Sequence, residues 1–171
     1  MEITEDFVNK VANSGLITFD LAQYRNKEER VLYDIKDNLF QELILREKDF
    51  RAFVKDHPWE QYKNKHVAVM CSADAIVPTW AYMLLAVKLE PFAKTVFFGS
   101  LAEMEAHLFE QALNQVDFSV YKDERVVVKG CSDVDVPVAA YVSLTARLRP
   151  LVKSIMYGEP CSTVPLYKSK D

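Results

Sequence analysis

The sequence predicts an α/β fold of internally duplicated strand–helix–strand units, forming a mainly parallel sheet flanked by helices. Three observations predict it. Short apolar runs alternate with longer ones bracketed by proline, the series occurs twice, and the two copies align without a gap. Shifting the chain by 59 residues sets 67–99 against 126–158, and twelve of the 33 positions are identical. Chance would give about two at ordinary composition. The matches include Asp74/Asp133, Pro78/Pro137, Tyr82/Tyr141, Pro91/Pro150 and Gly99/Gly158. A gapless match of this length marks a structural repeat.

The elements follow in order within one expected domain, 1–171, whose N-terminal segment is 1–65 and whose repeats are 66–99 and 125–158. Ile3–Ala12 has the pattern of a short amphipathic helix, stopped by Asn13-Ser14-Gly15. Leu16–Phe19 and Val31–Ile35 read as strands. Apolar residues at 39, 40, 43, 44, 50, 53 and 54 predict a helix over Leu39–Phe53, ended at His57-Pro58-Trp59. In the first repeat, His66–Met70 is a strand apolar on both faces, as a strand buried between helices must be. Pro78 opens a helix to Leu89, since proline at the first helical position lacks only an N–H that would be unpaired. Pro91 stops that helix, and Thr95–Phe98 is the return strand. Leu101–Leu113 is a connecting helix. The second repeat runs through strand Arg125–Lys129, helix Pro137–Leu148 and strand Ser154–Tyr157, and a polar tail follows Gly158. Two strands joined by a helix form a right-handed crossover, so at least four strands lie parallel.

Bulk properties exclude several classes. Half of the residues are apolar, enough for a core without disulfide or metal staples. A net charge of −4 leaves no basic footprint, so no nucleic-acid partner is expected. The start has no basic segment followed by an apolar run, and the longest apolar stretch, Trp80–Val87, is too short for a bilayer. Three cysteines do not make a secreted disulfide framework, and the expectation is a cytoplasmic protein. The four glycines form neither a dinucleotide fingerprint nor a phosphate loop, so no nucleotide is expected.

Ligands of parallel sheets bind beyond the carboxyl ends of the strands. Cys71 and Asp74 follow the first strand of one repeat, Cys131 and Asp133 the first strand of the other, and Glu159 and Cys161 the last strand. The expected arrangement is one sheet edge carrying all three cysteines. Cys71, Cys131, Cys161, Asp74, Asp133 and Glu159 are the candidate metal ligands; thiolate with carboxylate suits zinc or iron. Val77 and Val136 precede the helix prolines and cannot cap with a side chain, so both helix starts stay open unless the aspartates reach across. The plainer reading of each residue is structural. A cysteine ending an apolar strand packs as a small hydrophobe, and an aspartate in such a loop bonds nearby amides. No pair has a C-x-x-C spacing.

The segments Cys71-Ser72-Ala73-Asp74-Ala75-Ile76-Val77-Pro78-Thr79-Trp80-Ala81-Tyr82, Ser154 to Lys168, and Leu43 to Arg51 resemble an uncharacterised bacterial family, catalogued as domain of unknown function 2480. The resemblance covers nearly the whole chain and implies no established activity. It implies an association with iron–sulfur cluster assembly, and hence assembly proteins as partners. Three readings stay open: an accessory protein that binds zinc or iron or handles sulfur, an enzyme with a cysteine nucleophile, and a non-catalytic interaction module. A homo-oligomer fits the third. The matched halves place sulfur differently, with Cys71 against Gly130 and Cys131 against Ser72, which suggests one site on a shared edge.

Overall fold

A computed structural model describes the backbone of residues 9–10 and, in full, residues 15–159 and 162–170. The chain divides into two compact units, a split unit of residues 1–25 and 106–171 and a continuous unit of residues 26–105. The fold is mixed α/β with mainly parallel sheets.

The continuous unit contains β3 (Arg30–Asp34), α1 (Glu47–Asp56), β4 (His66–Met70), α2 (Thr79–Leu89) and β5 (Thr95–Phe98). Its sheet has the order β3-β4-β5, all parallel. The split unit begins with β1 (Asn9–Lys10) and β2 (Leu16–Phe19). It resumes within α3 (Leu101–Leu113) and ends with β6 (Arg125–Val128), α4 (Val138–Leu148), β7 (Ser154–Glu159) and β8 (Ser162–Lys168). Here β2, β6 and β7 are parallel, and β1 and β8 flank them antiparallel.

The two parallel cores have the same register. His66 pairs with Thr95 in one and Arg125 with Ser154 in the other, each partner 59 residues on. The correspondence also reaches back before the repeats. A 3-10 turn at Trp59–Tyr62 precedes β4 and another at Phe118–Tyr121 precedes β6; Asn64 and Asp123 then both take φ of 60°. The first strands correspond at a different offset. Arg30 opposes His66 and Leu16 opposes Arg125, so Asp34 and Asp20 hold the same place, 14 residues apart. Asp34 is the last residue of β3 and Asp20 the residue after β2; each caps a 3-10 turn, accepting from the N–H two residues on at 3.1 Å and 3.0 Å.

Each helix buries one stripe on its own sheet. Ala81, Leu85 and Leu89 of α2 and Ala140, Leu144 and Leu148 of α4 are all essentially inaccessible. Their spacing of four places them one above another on a helix. The first stripe packs with Val67, Val69, Phe50 and Val54, the second with Val126, Val128, Phe109 and Leu113.

Four expectations are corrected. The strands form two sheets rather than one. The helix expected over Ile3–Ala12 is a strand at Asn9–Lys10, paired with β2; the rest of that segment lies outside the described residues. The helix expected from Leu39 begins at Glu47. Leu39 to Leu45 instead turns tightly, with Gln41 and Glu42 at φ of 52° and 58° and Phe40 bridged to Ile44, which in turn bridges Ile76. Of the apolar residues spaced like a helix face there, Phe40, Leu43 and Ile44 are exposed. The tail expected after Gly158 holds β8, an edge strand of its sheet, and an edge tolerates Pro165.

Candidate functional site

In the continuous unit, Cys71 follows the last residue of β4. It is half-buried, and its thiol donates to the Ala73 carbonyl at 3.5 Å. Asp34, at the end of neighbouring β3, accepts from the Ser72 N–H at 3.0 Å and from the Ser72 hydroxyl. Burial pushes the Asp34 carboxyl up, but the Ser72 hydroxyl, the N–H groups of Ser72 and Lys36, and the Lys36 ammonium outweigh it and hold it below the usual range. Tyr82 lies one turn into α2, with its ring edge-on to Phe98 at 5.1 Å. Burial raises its hydroxyl, and negative charge at Cys71 and Asp34 raises it further.

The split unit has the same plan with different occupants. Cys131 is exposed on the loop after β6, and its N–H donates to Glu159 at 3.4 Å. Asp20, the counterpart of Asp34, pairs with Lys129 at 3.1 Å. That hydrogen bond and the Asp20 charge raise the Lys129 ammonium, assisted by Glu159 and Asp133. Tyr141 stands edge-on to Tyr157 at 5.8 Å. Burial raises its hydroxyl first, and then Tyr157, Asp20 and Cys131. So each unit gathers an aspartate, a cysteine and a tyrosine past the carboxyl ends of its own strands.

One steric difference between the units bears on the one-position offset of the cysteines. A Cβ at Gly130 would stand 3.0 Å from Tyr157 Cζ and 3.2 Å from its hydroxyl. The continuous unit has Cys71 at the Gly130 place and Phe98, which lacks that hydroxyl, at the Tyr157 place. Cys131 takes the place of Ser72, whose hydroxyl bonds Asp34.

Both helix starts are open. Pro78 and Pro137 stand at the cap positions of α2 and α4, one residue ahead of the expected assignment, and neither helix has a side-chain cap. Asp74 and Asp133 are exposed and do not reach across. Open helix starts favour anions in front of them.

Of the six candidate ligands, Cys131, Asp133 and Glu159 belong to the split unit and Cys71 and Asp74 to the continuous unit. The expected single edge is therefore corrected to two strand-end edges, one on each sheet. Cys161 lies outside the described residues. Among the described residues, no three His, Cys, Asp or Glu side chains stand together as a metal site. Asp20, Asp34 and Lys129 were missed from the sequence. A signal existed in Phe19-Asp20-Leu21 and Tyr33-Asp34-Ile35, an aromatic, an aspartate and an aliphatic after a short strand. It falls outside the 59-residue shift.

The chain belongs to the family described as protein of unknown function (DUF2480), whose model matches residues 5–169. Comparison with curated proteins and with solved structures returned no match. Among the described residues, no helix is long and apolar enough to cross a membrane.

Proposed function

For this member of a family without an assigned activity, we propose a cytoplasmic accessory protein that handles sulfur, or holds zinc or iron, at strand-end thiols. Cys131 is its principal group. The observation that carries this reading is the recurrence, in both units, of a cysteine with an aspartate and a tyrosine beside a helix start that no side chain caps. Parallel sheets present ligand sites at this end of their strands. Thiolate and carboxylate donors suit zinc and iron; the donors proposed are Cys71 and Asp74 at the edge of the continuous unit, and Cys131, Asp133, Glu159 and Cys161 in the split unit. Iron–sulfur assembly proteins are the partners this reading implies. The frame itself is read as an internal duplication, supported by the shared register of the two parallel cores and the paired 3-10 turns.

The test is thiol titration and elemental analysis on protein purified without oxygen. Zinc, iron or sulfane sulfur carried by the protein, and lost on Cys131→Ser, is the expected result. A protein free of all three, with Cys131 alkylated no faster than an unstructured peptide thiol, overturns the proposal.

A second reading, a cysteine-nucleophile enzyme, is favoured by the Lys129–Asp20 pair and the Tyr141 hydroxyl near Cys131. These supply the acid and base that such chemistry needs. Fast alkylation of Cys131 alone, with no metal or sulfur carried, would favour it.

A further inference from the structure

The outward face of α4 in the split unit is not a plain solvated surface. Val142 is 64% exposed, and Leu166 on β8 is 52% exposed. With Ala146 and the rings of Tyr141 and Tyr157 they line an open groove of about 420 Å³. That volume lies within the range of small-molecule sites, which are mostly apolar with a few placed polar groups. The groove follows α4 from Tyr141 to Arg149, about 12 Å at the rise of a helix.

Its polar groups are unevenly placed. The hydroxyls of Tyr141 and Tyr157 mark the end near the thiol loop, and neither makes a hydrogen bond among the described residues. Arg149, at the other end, is the one charged residue of the lining. Its guanidinium stacks over the Tyr167 ring at 4.2 Å, and it has no carboxylate partner among the described residues. A stacked guanidinium keeps its edge N–H groups free, and their fork matches a carboxylate. The carboxyl end of α4 disfavours an anion, so the pairing depends on this one cation.

We infer that this groove binds an aliphatic monocarboxylate, with the carboxylate on Arg149 and the chain lying over Val142, Ala146 and Leu166. The length of the apolar floor and the single cation at one end together select this class over a cation, an uncharged chain or a polyanion. The groove shares Tyr141 with the thiol edge, but its test does not rest on the thiol reading, and either can fail without the other.

The experiment titrates the whole chain with decanoate, following backbone amide signals, with decanol and decylammonium as controls. Saturable shifts confined to α4, β7 and β8 are expected with decanoate, with at least tenfold weaker binding of both controls. Arg149→Gln should weaken decanoate at least tenfold and leave decanol unchanged. Val142→Glu, on an exposed position that folding tolerates, should abolish both. Equal binding of decanoate and decanol marks a surface for apolar side chains of a partner and overturns the assignment. So does the absence of saturable shifts, or a decanoate affinity indifferent to Arg149→Gln.

Discussion

The two units use one parallel core for two different edges. In the continuous unit the strand-end aspartate is bound by a serine, the thiol is half-buried, and the nearby aromatic is Phe98. In the split unit the aspartate holds a lysine, the thiol is exposed, and the aromatic is Tyr157. Helix stripe, register and strand-end aspartate are the same. What differs here lies at the carboxyl ends of the strands and in the loops just past them. The difference teaches that the frame and the chemistry of this chain are separable: the frame repeats, and each edge has its own charges.

The sharpest way to break this comparison is to strike the shared frame. Leu85 and Leu144 hold the same place on α2 and α4, and both are fully buried. Truncating either to alanine should cost about 2–5 kcal/mol, from lost burial and the cavity left behind. Chemical denaturation of the two variants measures it. Similar losses support equivalent cores, and a loss under about 1 kcal/mol in one alone breaks the equivalence.

A smaller effect tests why the sulfur positions differ. Gly130→Ala places a Cβ against the Tyr157 ring and hydroxyl, and overpacking of this kind costs about 1–3 kcal/mol. Gly130 has no positive φ, so the effect is steric rather than conformational. Tyr157→Phe in the same chain should recover part of the loss, because it recreates the pairing of Cys71 with Phe98. Denaturation of the single and double variants forms the cycle. Full additivity would remove the steric account of the shifted cysteine.

Much of the frame was legible because its signals are local or repeated. Paired prolines mark α2 and α4, and apolar runs mark β4 and β6, so the elements between 66 and 158 follow from the sequence. The partition into two sheets was not legible. It depends on which partner β2 and β3 choose, and nothing within Leu16–Phe19 or Arg30–Asp34 specifies a partner 109 or 36 residues away. The turn at Leu39–Leu45 was misread because the spacing of its apolar residues also fits a helix, and the deciding bridge to Ile76 is non-local. Of the candidate site, Cys71, Cys131 and Glu159 were legible as candidates by residue type. Asp20 and Asp34 were not, because an aspartate after a strand reads equally as a turn former, and each shows its role only beside the loop it meets.

The smallest effect concerns the first residue of β4 and of β6, where His66 answers to Arg125. His66 is 2% exposed; its Nδ1 lies 3.0 Å from the Thr95 hydroxyl, and its Nε2 has no hydrogen-bond partner and stands 3.8 Å from Glu28. Glu28 is also paired with Lys94, and Arg30 on β3 pairs with Glu105 at 2.7 Å. Burial lowers the His66 pKa below 6.5 and the Arg30 charge lowers it further, with Glu105 opposing. The unfolded chain therefore takes up the proton more readily than the folded one. The stability that neutral His66 contributes is complete above its unfolded pKa of about 6.5 and is lost as pH falls through that value toward the folded pKa. His57, lowered by burial, acts in the same direction. Arg125 is exposed and stays charged throughout, so this place in the split unit has no counterpart to the loss. Denaturation midpoints between pH 7.5 and pH 5 should fall for the native chain, and His66→Gln should flatten the slope, leaving the part due to His57. A slope unchanged by His66→Gln would mean that Glu28 moves to meet the protonated ring, turning an uncompensated buried base into a paired one.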